Sequence, residues 1–154
     1  MKFKRTLKNW GPVLFWALLI FIGSSLPAPE ISKVGWVSFA VTSFVHFVEF
    51  SILSFLIFRA LYFAERGPEE ILEQVKRTVK TLRFGLKPFF FRLFWELFVP
   101  KKLLAAILIT VIYAAADELH QCFVPTRVCS FWDFFFDSFG AVVGAVLAKL
   151  ILSF

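Results

Sequence analysis

Four long apolar runs dominate the sequence, at about residues 11–27, 36–62, 102–123 and 132–153. A helix needs roughly 20 mostly apolar residues to cross the hydrocarbon core of a bilayer, and these runs are near or above that length. The chain is 59% hydrophobic and contains 23 Phe among 154 residues, more apolar side chain than a soluble domain of this size buries. The sequence therefore predicts an all-α membrane protein with four transmembrane helices, forming a single domain over 1–154.

The basic residues predict the orientation of these helices. If both termini are cytoplasmic, only Lys33 and Arg127 of the 17 lysines and arginines lie on the opposite side of the membrane. Cytoplasmic segments are enriched in Lys and Arg, so we expect both termini to be cytoplasmic. The net charge of +6 is then a topology signal. Because the bases are interleaved with apolar residues beside the spans, we expect no nucleic-acid partner.

The first run has two readings. A basic start and a short apolar core also describe a cleaved signal peptide. Aromatic residues within the run, and Pro27 and Pro29 after it, favour a retained helix. We expect Pro12 in the first turn of that helix, where a missing amide costs no hydrogen bond.

Residues 67–100, between the second and third runs, predict a basic amphipathic helical segment on the cytoplasmic membrane surface. Acidic residues follow Gly67-Pro68, as at a helix start. Apolar residues then recur at helical spacing, with bases on the other faces: Ile71, Val75, Val79 and Leu82. A plain membrane-surface connector is favoured over a partner-docking surface.

Two ionisable residues interrupt the second run. His46 and Glu49 are three residues apart and therefore share a helix face. An ionised Glu without a partner is costly in hydrocarbon. Glu49 is either neutral, paired with His46 or with another helix, or part of a functional site.

A polar stretch, 117–137, lies between the third and fourth runs on the predicted outer side. Two faces follow from helical spacing: Asp117, His120 and Gln121 on one helix, and Asp133, Asp137, Gly140 and Gly144 on the next. With Glu49 and Glu118, up to five negative charges gather in the outer leaflet. Protonation, a bound cation or salt bridges must relieve that excess.

These residues form a pattern that resembles the VanZ-like family: Asp117-Glu118-x-x-Gln121-x-Phe123-x-Pro125-x-Arg127, then Asp133, then Gly140-x-x-x-Gly144. Earlier motifs agree in outline: Ser24-Ser25-x-Pro27 and His46-Phe47-x-Glu49-Phe50. The resemblance implies a small multi-span protein of the bacterial cytoplasmic membrane. The family's namesake is associated with low-level teicoplanin resistance, so the resemblance also implies an effect on glycopeptide susceptibility.

The sequence departs from the family pattern at several places. Thr126 stands where the family usually has Gly, at a turn position that needs a positive φ. Asp137 stands where Asn is more usual and adds a charge. The basic 67–100 segment has no family counterpart that we recognise.

The candidate site residues fall into two groups. The catalytic candidates are Asp117, Glu118, His120 and Asp133; the ligand-binding candidates are Gln121, Arg127, His46, Glu49 and Asp137. Carboxylates beside a His suit general acid–base catalysis or a divalent cation. Arg127 either contacts a phosphate or carboxylate or, as we favour, pairs with Asp133 or Glu118.

The substrate or ligand expected at an outer-leaflet site is a membrane lipid or a lipid-linked cell-wall precursor. No familiar nucleophile motif is present, so Ser130 or a water would have to attack. Three functions stay open: an envelope protein that alters glycopeptide susceptibility without catalysis, a small intramembrane enzyme on a lipid headgroup, and, least favoured, an ion pathway. Cys122 and Cys129 flank the outer turn, either as a disulfide or as two thiols.

Overall fold

The computed structural model describes residues 2–27, 35–64, 73, 101–127 and 130–153. Its long elements are four helices: α1 (Lys2–Ser25), α2 (Gly35–Ala64), α3 (Lys101–Gln121) and α4 (Phe131–Ser153). All four are long and apolar enough to cross a membrane, and the described ranges contain no strand. The prediction of an all-α membrane protein with four spans is confirmed. The cytoplasmic location of both termini stays a prediction, and the 67–100 segment lies outside the described residues apart from Glu73.

α2 lies at the centre of the bundle and packs against each of the other three helices, most extensively against α4. Its Phe50, Leu53 and Ile57 are almost completely buried. Large apolar side chains on the outside of the bundle stay exposed, among them Phe15 and Ile112. This pattern suits a bundle surrounded by lipid, because exposed apolar side chains carry no penalty there.

Two glycines let α4 lie directly against the backbone of α2. A Cβ at Gly140 would overlap the carbonyl oxygen of Phe47, and a Cβ at Gly144 would overlap the backbone of Ser51. Small residues four apart allow such close approach in membrane helices. Because the contacts advance along both helices in the same direction, α2 and α4 are parallel, and their amino-terminal halves lie at the same end of the bundle.

Two side-chain hydrogen bonds attach the middle of α1 to its neighbours. The Trp16 indole Nε1 donates to the Glu49 carbonyl at 2.9 Å, and the Tyr113 hydroxyl donates to the Ala17 carbonyl at 2.7 Å. These bonds fix the carboxyl-terminal half of α1 against α2 and α3.

The prediction for Pro12 is wrong. α1 begins at Lys2, so Pro12 lies inside the helix and not in its first turn. The helix therefore lacks one amide hydrogen bond near its middle. Neighbouring helices and local adjustments make such a loss tolerable in membrane helices.

Candidate functional site

Three buried ionisable side chains from three helices meet near one end of the bundle. His46 comes from α2, Glu118 from α3 and Asp137 from α4. They are 5%, 7% and 0% exposed, respectively. One nitrogen or oxygen atom from each lies within 4.8 Å of the others, and His46 Nδ1 is 3.3 Å from Asp137 Oδ1. We call these three residues the central cluster.

Most polar atoms of the central cluster lack a well-formed hydrogen bond. His46 Nδ1 and Asp137 Oδ1 are at ion-pair distance, but their angular geometry is not that of a hydrogen bond. Glu118 Oε1 and Asp137 Oδ2 are also buried without a hydrogen-bond partner. Glu118 Oε2, by contrast, accepts the backbone N–H of Ser130 at 2.9 Å. Buried polar groups are nearly always hydrogen-bonded in proteins, so this convergence is unusual.

A second carboxylate, that of Asp117, joins α3 to α1. Asp117 is buried, and its Oδ2 accepts hydrogen bonds from Ser24 Oγ at 2.9 Å and from Gln121 Nε2 at 2.8 Å. Gln121 is therefore committed to Asp117 rather than to helix-end carbonyls. These hydrogen bonds connect the carboxyl-terminal ends of α1 and α3, which indicates a structural role for Asp117.

His120 lies apart from the central cluster, against α1. Its Nε2 is 3.0 Å from Ser25 Oγ, and its ring packs 4.9 Å from that of Phe21. Ser25 Oγ also donates to the Phe21 carbonyl at 2.7 Å. The tautomer of His120 decides whether Nε2 donates to Ser25 Oγ or accepts from it.

Asp133 and Ser130 begin α4. Asp133 Oδ1 accepts a hydrogen bond from Ser43 Oγ of α2 at 2.9 Å. The Asp133 amide donates to Ser130 Oγ at 3.3 Å, the pattern of a helix N-cap. The Ser130 hydroxyl thus caps α4, and its amide donates to Glu118. These structural contacts argue against Ser130 as a nucleophile.

Arg127 completes the end of α1, so the favoured pairing with Asp133 or Glu118 is wrong. Its Nε donates to the Leu26 carbonyl at 3.0 Å, and its Nη2 donates to the Gly23 carbonyl at 2.7 Å. The last carbonyls of a helix lack partners within the helix and carry partial negative charge, which explains why a guanidinium binds there.

The remaining candidate, Glu49, is half-buried one helical turn from His46. Its backbone carbonyl accepts a hydrogen bond from the Trp16 indole. His46 contacts Asp137, so the structure favours an inter-helix partner for the histidine over Glu49.

The turn between α3 and α4 keeps the backbone that the family's glycine would adopt. Thr126 has a φ of 70°, and it is the one non-glycine residue in the described ranges with a positive φ. The sequence departure at Thr126 put this turn in doubt, but the positive φ is kept despite the substitution. Cys122, at the start of this turn, is disulfide-bonded. Cys129, the chain's other cysteine, lies outside the described residues.

An open groove of about 380 Å³ runs between α3 and α4 beside the central cluster. Glu118 and Ser130 supply its polar atoms, and apolar side chains form most of the rest. Its lining comprises Ala115, Glu118, Leu119, Cys122, Ser130, Phe131 and Phe134. The groove gives a molecule in the surrounding lipid a lateral approach to Glu118.

The structure thus divides the nine candidates. It brings together Glu118, a predicted catalytic residue, with His46 and Asp137, which were predicted to bind ligand. The roles themselves stay predictions. Asp117, Gln121, His120, Asp133 and Arg127 have partners within helix-end networks. The ninth candidate, Glu49, is half-buried on α2 and belongs to neither group. Ser43 was missed as the partner of Asp133; its signal was a small hydroxyl residue one turn before His46.

Comparison with protein families found a match to the VanZ/LLP1 family model over residues 8–152, nearly the entire chain. Comparisons with curated proteins and with solved structures found no match. The matched range covers the turn between α3 and α4 and nearly all of the four membrane-spanning helices. The chain belongs to the VanZ/LLP1 family of multi-pass membrane proteins.

Proposed function

We propose that the protein works in the bacterial cytoplasmic membrane, where its central cluster binds the polar end of a lipid or lipid-linked cell-wall precursor. Binding there alters the susceptibility of the envelope to glycopeptides. The observation that carries the proposal is the meeting of His46, Glu118 and Asp137, buried and with unpartnered polar atoms.

The contrast with the neighbouring networks supports a working role for this cluster. Asp117 is also buried at this end of the bundle, yet its Oδ2 accepts two hydrogen bonds. Each unpartnered buried polar group costs roughly 1–3 kcal/mol. A chain that satisfies one buried carboxylate and leaves another unsatisfied retains the second at a cost in stability, as is common at functional sites.

The groove between α3 and α4 supports a lipid-like ligand. It opens on the side of the bundle, where Leu119 and Phe131 are 62% and 75% exposed. Its volume, about 380 Å³, suits a small headgroup or a segment of acyl chain. Since Glu118 belongs to both the groove and the cluster, a molecule that enters from the lipid meets the cluster first at this carboxylate.

Complementation tests the proposal. In a strain lacking the protein, we compare the wild type with Glu118→Gln and with Glu73→Gln, at matched membrane abundance. Glu73 is exposed and distant in sequence, and it undergoes the same chemical change. We expect Glu118→Gln to give the glycopeptide susceptibility of the empty strain and Glu73→Gln that of the wild type. A Glu118→Gln variant that complements fully would contradict the proposal.

A second candidate is an intramembrane enzyme that acts on the lipid headgroup. One observation favours it: a histidine and two carboxylates whose nitrogen and oxygen atoms lie within 4.8 Å of one another can accept and donate protons. The lipid extract of the same strains separates the two functions. A lipid species that accumulates in both the empty strain and the Glu118→Gln strain indicates turnover. Unchanged lipids with altered susceptibility indicate binding alone.

A further inference from the structure

We propose that His46, Glu118 and Asp137 together bind a divalent transition-metal cation, with Zn²⁺ as the best fit. The proposed ligands are His46 Nδ1, Glu118 Oε1 and one carboxylate oxygen of Asp137. This inference rests on the proposed function only in taking the central cluster as the working site, and its test reads metal content directly.

The geometry is close to that of a three-ligand site. One donor atom from each residue lies within 4.8 Å of the others. Zinc bonds of about 2.0–2.2 Å in a tetrahedron place ligand atoms roughly 3.3–3.6 Å apart. The separation of His46 Nδ1 and Asp137 Oδ1, 3.3 Å, already meets that spacing. The Glu118 donor lies within 4.8 Å of the other two, so a zinc ion at this place requires it to approach them by at most about 1 Å.

The donor set and its burial favour a cation over an internal network. All three residues are at least nine-tenths buried, and each carries at least one buried polar atom without a hydrogen-bond partner. Two carboxylates and an imidazole provide up to two negative charges and one neutral nitrogen. A divalent cation neutralises those charges and occupies the acceptor sites that no donor fills.

The surroundings hold the ligands in place. The Ser130 amide binds Glu118 Oε2, which leaves Oε1 without a hydrogen-bond partner and available as a ligand. The Phe50 ring lies nearly parallel to the imidazole of His46, at 12° and with 6.4 Å between centroids. Such outer contacts orient metal ligands and restrict their rotation.

Three protein ligands leave one position of a tetrahedral metal open. Catalytic zinc sites share this feature, whereas structural sites are closed by four protein ligands. Glu118 lines the groove, so the lateral approach described above leads to the open position. A metal at this place supplies a Lewis acid to an oxygen of a phosphate or carbonyl group.

The rival account is a self-contained ion pair. A protonated His46 beside Asp137 satisfies part of the charge without a metal. It leaves Glu118 Oε1 and Asp137 Oδ2 unexplained. The two accounts differ in whether the protein retains a stoichiometric metal.

Metal content of the purified protein decides between them. The full chain, in detergent and with any affinity tag removed, is stripped with a chelator, equilibrated with Zn²⁺, passed through a desalting column and measured by elemental analysis. We expect about one zinc per wild-type chain and at least a tenfold lower zinc affinity for Asp137→Asn and Glu118→Gln, in line with the loss of one ligand of three. Asp133→Asn, the same change one turn earlier on α4, retains the metal because Asp133 binds Ser43 instead.

The proposal is overturned if the wild-type protein retains no zinc and also gives no new visible absorption bands when it is equilibrated with Co²⁺ in place of Zn²⁺. This result does not depend on whether the variants fold. Equal zinc in the wild type and Asp137→Asn overturns the proposal as well. A metal-free protein whose Glu118→Gln variant fails to complement leaves the proposed function intact. A metal-bound protein whose Glu118→Gln variant complements refutes the proposed function and makes the metal structural.

Discussion

Thr126 carries a β-branched side chain in a left-handed backbone conformation, with a φ of 70°. A Cβ in that region meets the following carbonyl and costs about 1–2 kcal/mol. We predict that Thr126→Gly is more stable than Thr126→Ala by about 1 kcal/mol. Both changes remove the hydroxyl, so its interactions cancel in the comparison. Thermal unfolding in detergent measures the difference, and equal melting temperatures would contradict the strain.

Ser24 and Ser25 are adjacent residues with opposite roles. Ser24 is 5% exposed and donates to the buried carboxylate of Asp117, whereas Ser25 is exposed. We predict that Ser24→Ala costs about 1–2 kcal/mol because a buried charged acceptor loses a donor. Ser25→Ala costs less than about 0.5 kcal/mol in the same unfolding assay. Equal losses would mean that Asp117 does not depend on Ser24.

At the scale of single residues, the backbone conformation of position 126 was predictable because its place in the motif alone carries the signal. The family's glycine at position 126 indicated a positive φ, and the structure has it. The partner of Arg127 was beyond reach, because helix-end carbonyls compete with carboxylates for a guanidinium and the sequence does not show which is nearer. The same limit applies to His46, whose partner Asp137 is 91 residues away in the chain.

At the scale of elements, the close pairing of α2 and α4 depends on the absence of side chains at two positions. A Cβ at Gly144 would overlap the backbone of Ser51, which cannot move without moving α2. We predict that Gly144→Ala costs at least about 2 kcal/mol through overpacking and separation of the two helices. Gly11→Ala is the matched control, since nothing lies within 4 Å of its Cβ position.

Unfolding of both variants in detergent tests that prediction. We expect Gly11→Ala to be neutral or slightly stabilising, because Ala has the higher helix propensity. If Gly144→Ala unfolds with the same midpoint as the wild type, the result contradicts the close approach of α2 and α4 at this residue. Central-cluster geometry depends on this approach, so Gly144→Ala also weakens complementation.

The four helices were predictable because each is a long apolar run, and apolar length is a strong signal in membrane proteins. The start of α1 was not. A charged amino-terminal segment and Pro12 both suggest a helix boundary, yet α1 extends back to Lys2. Lysine and arginine are good helix formers, so the basic segment continues the helix, and one Pro does not end it.

For the whole molecule, the orientation in the membrane follows from charge alone and stays a prediction. If the carboxyl terminus is cytoplasmic, as we predict, a green fluorescent protein fused after Phe154 fluoresces. In the same orientation the turn between α3 and α4 faces outward, so an alkaline phosphatase fused after Arg127 is active. An inactive phosphatase at Arg127 together with a carboxyl-terminal fusion that does not fluoresce would show the opposite orientation. The central cluster would then lie on the cytoplasmic side.

The central claim is that His46, Glu118 and Asp137 act as one unit, and non-additivity in vivo tests it most directly. We would place His46→Gln, Glu118→Gln, Asp137→Asn and their pairwise combinations in the chromosomal copy, at matched abundance. Glycopeptide susceptibility is then scored against the deletion strain. When residues work as a unit, the first substitution removes nearly all of the function. Each single variant is therefore predicted to have the susceptibility of the deletion strain, and the double variants to be no more affected. Single variants with partial effects that multiply in the doubles, or that resemble the wild type, would contradict the account.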